Sequence, residues 1–244
     1  MTFAARTASN APAVSAGDPY FANVKLLLHM DSSGFPDVIG STITNNFGVA
    51  LAASPALFSS SAQFIPASFT FLQSSLSSSG LLSGDFTLEA WVYYTNVTLN
   101  STLFSADNGF GPNYKWFFAL NYNGANTFSL SRYYNTNTNV PVSWSWTPTI
   151  NTGYQICVQR SGNTYTFFVN GVSQGNVTDS TAIPALGQGL VIGGLFDIGN
   201  PGGAGGPYLF IQQGYIDEFR FTDGIARYPT TGYTPAVIPF PNHG

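Results

Sequence analysis

"GYIDEFRFTDGIARY", residues 214–228, gathers three carboxylates and two arginines into a run of Tyr, Ile and Phe. Two readings compete. It is either a site, with acids poised for a metal or a reaction, or the closing strand of a β-sandwich. Period-2 alternation puts Tyr215, Asp217, Phe219 and Phe221 on one face and Ile216, Glu218 and Arg220 on the other. Asp217 then shares a face with three aromatics, where a carboxylate must be paired, hydrogen-bonded or metal-bound. Glu218 and Arg220 read as a partly solvated ion pair.

The rest of the chain favours the strand. Hydrophobic residues make up 44% of 244, aromatic residues 16% and charged residues only 7%. That is a packed core under a surface of Ser, Thr, Asn and Gly, and the aromatic content excludes disorder. No apolar run approaches the ~20 residues that span a bilayer, so a membrane partner is not expected. Seven Lys plus Arg against eleven Asp plus Glu leave a net charge of −4 with no basic cluster. Nucleic acid is therefore not an expected partner, because phosphate neutralisation needs a basic stripe. Cys157 is the only cysteine and excludes an internal disulfide and a Cys-based zinc cage.

Working outward, residues 1–20 are rich in Ala, Ser, Pro and Asn and read as an N-terminal arm, with the domain over 21–244. The arm has no continuous hydrophobic region of the kind a signal peptide carries. "VKLLLHM" puts Val24, Leu26, Leu28 and Met30 on one face. "FTLEAWVYY" divides into Phe86, Leu88, Ala90 and Val92 against Thr87, Glu89, Trp91 and Tyr93. "KWFFALNY", "TFSLSRYY", "GYQICVQR" and "GLVIGG" read as further strands. "TYTFFVNGVSQGNV" is a hairpin on the Asn170-Gly171 turn pair. No stretch holds a 3.6-residue period, so the expectation is an all-β, two-sheet antiparallel sandwich with little helix.

Five of these stretches, in order, resemble the laminin-G-like and pentraxin-like branch of the concanavalin A-like lectin/glucanase jelly rolls. They are "LLLHMD", "GDFTLEAWVY" at 84–93, "YTFFVNGV", "VIGG" and "GYIDEFRFTDGIARY", and they cover nearly the whole chain from about residue 24. The opening "LLLHMD" and the closing "GIARY…TP…PFP" look most like copies in bacteriophage structural proteins. The resemblance implies two packed sheets, a calcium ion near one rim, and glycan or protein binding. The fold itself does not fix a ligand.

For a hard, oxygen-loving cation the candidate ligands are Asp217, Asp31 at the end of the first strand, and Asp37 in "FPDVIG". Ca²⁺ wants about six to eight oxygens, so carbonyls and water must complete that set. The competing reading makes Asp217 an acceptor of backbone N–H groups with no metal. Enzyme readings fare badly. Glycosidases on this fold carry paired carboxylates on one strand, and Glu89 and Glu218 have no acidic residue two or four positions on. "GVSQG" at 171–175 has the Gly-x-Ser-x-Gly spacing of a nucleophile elbow, but it sits in a hairpin where strand–turn–helix is needed. "GNPGGAGGPY" at 199–208 has no lysine and opens no helix, so it is no phosphate cradle. His29 reads as an ordinary half-buried residue.

The aromatic surplus supplies candidates for sugar stacking: Trp144 and Trp146, Tyr114 and Trp116, Tyr133 and Tyr134. The alternative places the tryptophans in the core or a subunit contact. Asn96, Asn100 and Asn176 lie in glycosylation sequons, which matter only on a eukaryotic secretory route. The expectation is a non-enzymatic protein on the outer surface of a virion. It would be a capsid decoration or tail appendage working through contacts with other virion proteins and through host-surface glycan. Its arm, with Phe3, Val14, Tyr20 and Phe21, would lie on a neighbouring subunit in a homo-oligomer, a trimer by analogy with other virion proteins. The other class is a free secreted lectin-like module.

Overall fold

The computed structural model describes residues 17–107, 114–134, 138–196 and 208–244. Seventeen strands and two single-turn 3₁₀ segments account for the regular structure in these residues. The first half of the chain forms β1 (Val24–Leu28), β2 (Ile43–Asn46), β3 (Ala50–Ala52), β4 (Ser61–Gln63), β5 (Phe71–Ser77), β6 (Phe86–Tyr94), β7 (Ser101–Asp107) and β8 (Lys115–Leu120). The second half forms β9 (Thr127–Tyr133), β10 (Val142–Ser145), β11 (Gly153–Ser161), β12 (Thr164–Val169), β13 (Val172–Thr178), β14 (Gly189–Ile192), β15 (Leu195–Phe196), β16 (Tyr208–Leu209) and β17 (Gly214–Asp223).

Two antiparallel sheets carry the domain. The larger has eight strands in the order β13-β12-β11-β6-β17-β4-β3, with β1 also paired to β17; the smaller has seven, in the order β10-β9-β8-β7-β14-β5-β2. β17 is thus central, with β6 along one edge. Its other edge is shared, β4 pairing at Tyr215 and Ile216 and β1 pairing from Phe219 to Thr222. The inward residues of β6, β17 and β1 (Phe86, Leu88, Ala90, Val92; Ile216, Phe219, Phe221; Leu26, Leu28) meet Phe104, Trp116, Phe118 and Phe128 of the other sheet in one core. Aromatic rings dominate that core and mostly pack at tilted or edge-to-face angles, as their quadrupoles prefer, while Phe128 and Phe167 stack at 4.6 Å.

The expected jelly-roll sandwich is present, and so is the expected hairpin. Asn170 and Gly171 both have positive φ, as a type I′ turn requires. A Cβ on Gly171 would lie 2.0 Å from the Tyr233 carbonyl oxygen, because the C-terminal segment crosses this turn.

The strict alternation expected along 215–221 fails at one residue. The register between β17 and β6 slips between Asp217 and Arg220, and Glu218 is left-handed, with φ of 51°. One extra residue in a bulge reverses the facing of everything before it relative to everything after. Ile216, Phe219 and Phe221 therefore point inward, whereas Tyr215, Asp217 and Arg220 lie on the outer face. Asp217 does not sit among the core aromatics. A second slip, between Val24 and Leu26, takes Val24 out of the main core to an outer cluster with Leu27 and Phe240.

The end of the expected arm packs against the domain. Asp18 is buried, donates its backbone N–H to the His243 carbonyl at 2.8 Å, and binds two arginines of the closing stretch through its side chain. Phe3 and Val14 lie outside the described residues.

Candidate functional site

The bulge divides the outer face of the large sheet into two unlike halves. On the far side of it, Glu89 and Arg220 are partners across β6 and β17. Arg220 donates to Glu89 Oε2 from Nε at 2.9 Å and from Nη2 at 2.6 Å, and to Asp18 Oδ2 from Nη1 at 2.9 Å. Arg227 forks onto the two oxygens of Asp18 at 2.8 and 2.9 Å, and its Nε donates to Thr222 Oγ1 at 2.7 Å. The Tyr228 hydroxyl donates to Glu89 Oε1 at 2.5 Å, and its ring stacks on Tyr233 at 3.7 Å. Phe240 lies 3.8 Å from the Arg220 guanidinium. Burial works against ionisation of Asp18, yet Arg227, the Tyr20 N–H and Arg220 together hold its carboxyl below the ordinary range.

Most of the charge that makes "GYIDEFRFTDGIARY" conspicuous is therefore structural. Glu89 and Arg220 are paired and buried, where the partly solvated pair expected for Arg220 was Glu218. Glu218 instead accepts from the Phe240 N–H at 2.9 Å and meets His29 Nδ1 at 2.7 Å, and this contact raises the imidazole to about 9. The C-terminal segment is held down by these bonds, and it covers this half of the sheet.

On the near side of the bulge the 55–58 loop lies against the face, and no residue of 225–244 lines the notch there. Trp91 and Tyr93 of β6 stand opposite Asp217 and Tyr215 of β17, and the three aromatic rings are half-buried. Tyr93 and Tyr215 meet edge to face at 5.8 Å, and Gln63 Nε2 donates to the Tyr215 hydroxyl at 2.9 Å. Among these residues and the 55–57 loop lies a notch of about 20 Å³, lined by Pro55, Leu57, Trp91, Tyr93, Tyr215 and Asp217. Asp217 is only 4% exposed. Its Oδ2 accepts the Leu57 N–H at 2.8 Å and the Phe58 N–H at 3.4 Å. Its Oδ1 has no partner among the described residues, and neither has the indole nitrogen of Trp91. Burial pushes the Asp217 carboxyl up to about 7, the charges of Glu218 and Asp31 adding to the effect and the two N–H bonds opposing it. Asp217 Oδ1 and Trp91 Nε1 are two of ten such side-chain atoms among the described residues.

The three carboxylates considered for calcium do not come together as one ligand set. Asp37 spends its oxygens on the Leu27, Ile39 and Ser41 N–H groups, stapling the turn after β1. Asp31 is exposed and accepts the Ser60 N–H at 3.2 Å. Among the described residues no three His, Cys, Asp or Glu side chains gather as a metal site needs, so the residues present do not fit a three-carboxylate calcium centre.

The aromatics chosen for stacking turn out unlike one another. Trp116 and Trp144, 0% and 4% exposed, belong to the core and offer no face to a sugar; the alternative reading holds for them. Trp146 and Tyr114 are partly buried and pack on the same core. Tyr133 packs with Phe117 and Tyr122 over the outer face of the small sheet, with Lys115 5.0 Å above its ring. The Tyr134 hydroxyl donates to the Ala182 carbonyl. Trp91, Tyr93 and Tyr215 were outside the expected set. The signal for the first two was present in "FTLEAWVYY", whose outward face they share with Glu89. Ser173 of "GVSQG" lies in β13, beyond the hairpin turn, and most of the Gly-rich stretch at 199–208 lies outside the described residues.

Comparison with known proteins agrees with this architecture. The sequence profile of a family described as the concanavalin A-like lectin/glucanases superfamily matches residues 72–226, more than half of the chain. No curated protein matches the chain. Among solved structures, domain 4 of AbnA superposes with a TM-score of 0.60 at 15% identity, over 83% of this chain and 93% of that one. AbnA is a GH43 extracellular arabinanase from Geobacillus stearothermophilus, and that structure is a complex with arabinotriose. The binding domain of Paraclostridial Mosquitocidal Protein 1 gives 0.62 at 12% identity, over 85% of this chain and 50% of that one. A botulinum neurotoxin type C structure, described by the toxin's dependence on two ganglioside molecules for cell entry, gives 0.59 at 12% identity. That match covers 83% of this chain and 48% of the toxin chain, so the present chain spans about half the length of these toxin domains. At such identities the likeness is one of fold.

Proposed function

We propose a function from one premise: the chain belongs to the concanavalin A-like lectin/glucanase superfamily. The reading is a non-enzymatic lectin-like binding domain whose ligand is a glycan held on the open half of the large sheet. One observation carries it. Trp91, Tyr93 and Tyr215 are three half-buried aromatic residues around a notch that also borders Asp217, and no residue of 225–244 lines it. Grouped aromatic faces at a concave, partly apolar surface are what a sugar needs, since it offers C–H faces to rings. The arabinotriose complex of AbnA domain 4 and the ganglioside dependence of the neurotoxin lend support by analogy of fold alone.

The test is an immobilised-glycan panel that includes arabinotriose, probed with the whole chain and with Trp91→Ala. We expect binding to at least one glycan, weakened about tenfold or more in the variant, because truncating an aromatic anchor of a binding site costs about 2 kcal/mol or more. Equal binding by the two proteins would place the ligand elsewhere.

We also place the domain on the outside of a phage particle, on the strength of "LLLHMD" and "GIARY" in their order, with the chain's first residues contacting its neighbours. The deletion that tests this arm ends at residue 16, because Asp18 belongs to the buried ion-pair network. Loss of residues 2–16 should leave the sandwich folded and abolish incorporation into particles. Wild-type occupancy of the truncated protein would remove the arm's role.

A further inference from the structure

The notch beside Trp91 is too small to enclose a sugar ring. A volume of about 20 Å³ holds little more than one water-sized group, for which roughly 10–15 Å³ suffices. A larger hollow lies farther along the same two strands. The rungs Trp91–Asp217 and Tyr93–Tyr215 are followed by Thr95, whose N–H donates to the Gln213 carbonyl at 2.9 Å. Gln213 borders a cleft of about 350 Å³, where the 64–70 and 95–100 segments cross from the large sheet to the small one. Two residues of chain, at most about 7 Å, separate Gln213 from Tyr215. A second segment makes the same step. Gln63, which holds the Tyr215 hydroxyl, is followed three residues on by Pro66, which lines the cleft.

The walls of this cleft suit an uncharged ligand with an apolar face. Phe69 and Leu99, 36% and 53% exposed, stand at it beside Phe210, and none of the lining residues is charged. Thr98, Asn100 and Gln213 add a hydroxyl and two amides. The volume falls within the roughly 300–1,000 Å³ of small-ligand sites, which are mostly apolar with a few polar groups. A sugar ring has the matching surfaces: C–H faces for the apolar side chains and hydroxyls for the amides. An acyl chain would cover the amides without bonding them, and a charged group would find no opposite charge there. Resting on the glycan reading above, we infer that the cleft bordered by Phe69, Leu99 and Gln213 is a second subsite of the same surface. It takes one neutral sugar unit while the following units run over Tyr215 and Tyr93 toward Trp91. The ligand class is thus an uncharged oligosaccharide, since a single ring fills one subsite and leaves the other empty.

The experiment titrates the whole chain with the mono-, di- and trisaccharides of three series: arabinose to arabinotriose, glucose to cellotriose, and mannose to mannotriose. In at least one series the trisaccharide should bind about tenfold or more tightly than the monosaccharide, because linked units meet the second subsite at high effective concentration. Phe69→Ala removes the ring at the cleft, and Leu99→Trp puts an indole into it from a side chain that is more than half exposed. Each should cut the gain from one unit to three to about threefold or less, as loss of an anchor does, in a protein that melts as wild type does. Should Phe69→Ala melt lower, Leu99→Trp alone decides. A smaller gain than expected in every wild-type series would overturn the inference, and so would a gain that survives in Leu99→Trp. If Trp91→Ala still weakens the trisaccharide in either case, the glycan reading stands with its ligand confined to the open half. Should no sugar bind the wild type, or should Trp91→Ala bind as wild type does, the glycan reading fails and the inference falls with it.

Discussion

Two neighbouring rungs of the same ladder, Glu89–Arg220 and Trp91–Asp217, were given opposite treatment by the fold. Both carry a carboxylate on the outer face of the large sheet, and only a bulge at Glu218 separates them. At the first rung every charge has an opposite charge within 3 Å, and the C-terminal segment lies on top. At the second the carboxylate has two N–H bonds on one oxygen and, among the described residues, none on the other, and it is covered by the 55–58 loop with no opposite charge. A buried charge is tolerated when paired, so the first rung is what folding demands. The second leaves a carboxylate without an opposite charge. A cost retained in one place and designed out in the next is the pattern of a binding surface, where stability yields to function.

The largest expected effect is at the closed rung. Arg220→Met removes the shared partner of Glu89 and Asp18 and leaves two buried carboxylates with one arginine between them. The expected loss is about 3–5 kcal/mol, the usual cost of breaking a buried pair from one side, read as a lowered urea midpoint. If the variant unfolds no more easily than wild type, the closed half is not the structural clamp described.

The open rung should respond in the opposite sense. Burial raises the folded pKa of Asp217 to about 7 from its ordinary 3.8. The folded state then binds the proton more tightly than the unfolded state, so this group's stability is present below about pH 4 and is lost as the pH climbs through 7. Asp217→Asn should match wild type near pH 4 and exceed it at pH 8 by on the order of 3 kcal/mol. Parallel stability curves for the two proteins from pH 4 to 8 would mean that Asp217 carries no such penalty, and the contrast between the rungs would disappear.

Much of this fold is legible in the sequence, and the limits have physical causes. β6, β11, the β12–β13 hairpin and β17 are visible because each combines alternation with a turn signal. β7 and β5 escape notice for different reasons. All seven residues of β7 are buried, so it shows no alternation. β5 (FLQSSLS) carries three serines, one of them buried and two exposed, so polarity does not mark its inner face. The bulge is invisible in "YIDEFRF", since glutamate at positive φ has no compositional mark; this one residue moved Asp217 from the core face to the outer one. The aromatics mislead for a simpler reason. "VSWSWTP" and "FTLEAWVYY" have the same alternation, and nothing in either says which face a later segment will cover. Residues 225–244 decide that, by closing over Glu89 and stopping short of Trp91.

The most direct test of that division uses the four tryptophans of the chain as reporters. In a ¹⁵N-labelled sample each indole N–H gives one signal, assigned by Trp→Phe replacement and followed while a binding neutral sugar is titrated in. The Trp91 signal should move with the saturation curve, while those of Trp116 and Trp144, sealed in the core, stay where they are. Movement at Trp146 with Trp91 still would contradict the account and put the ligand on the other sheet.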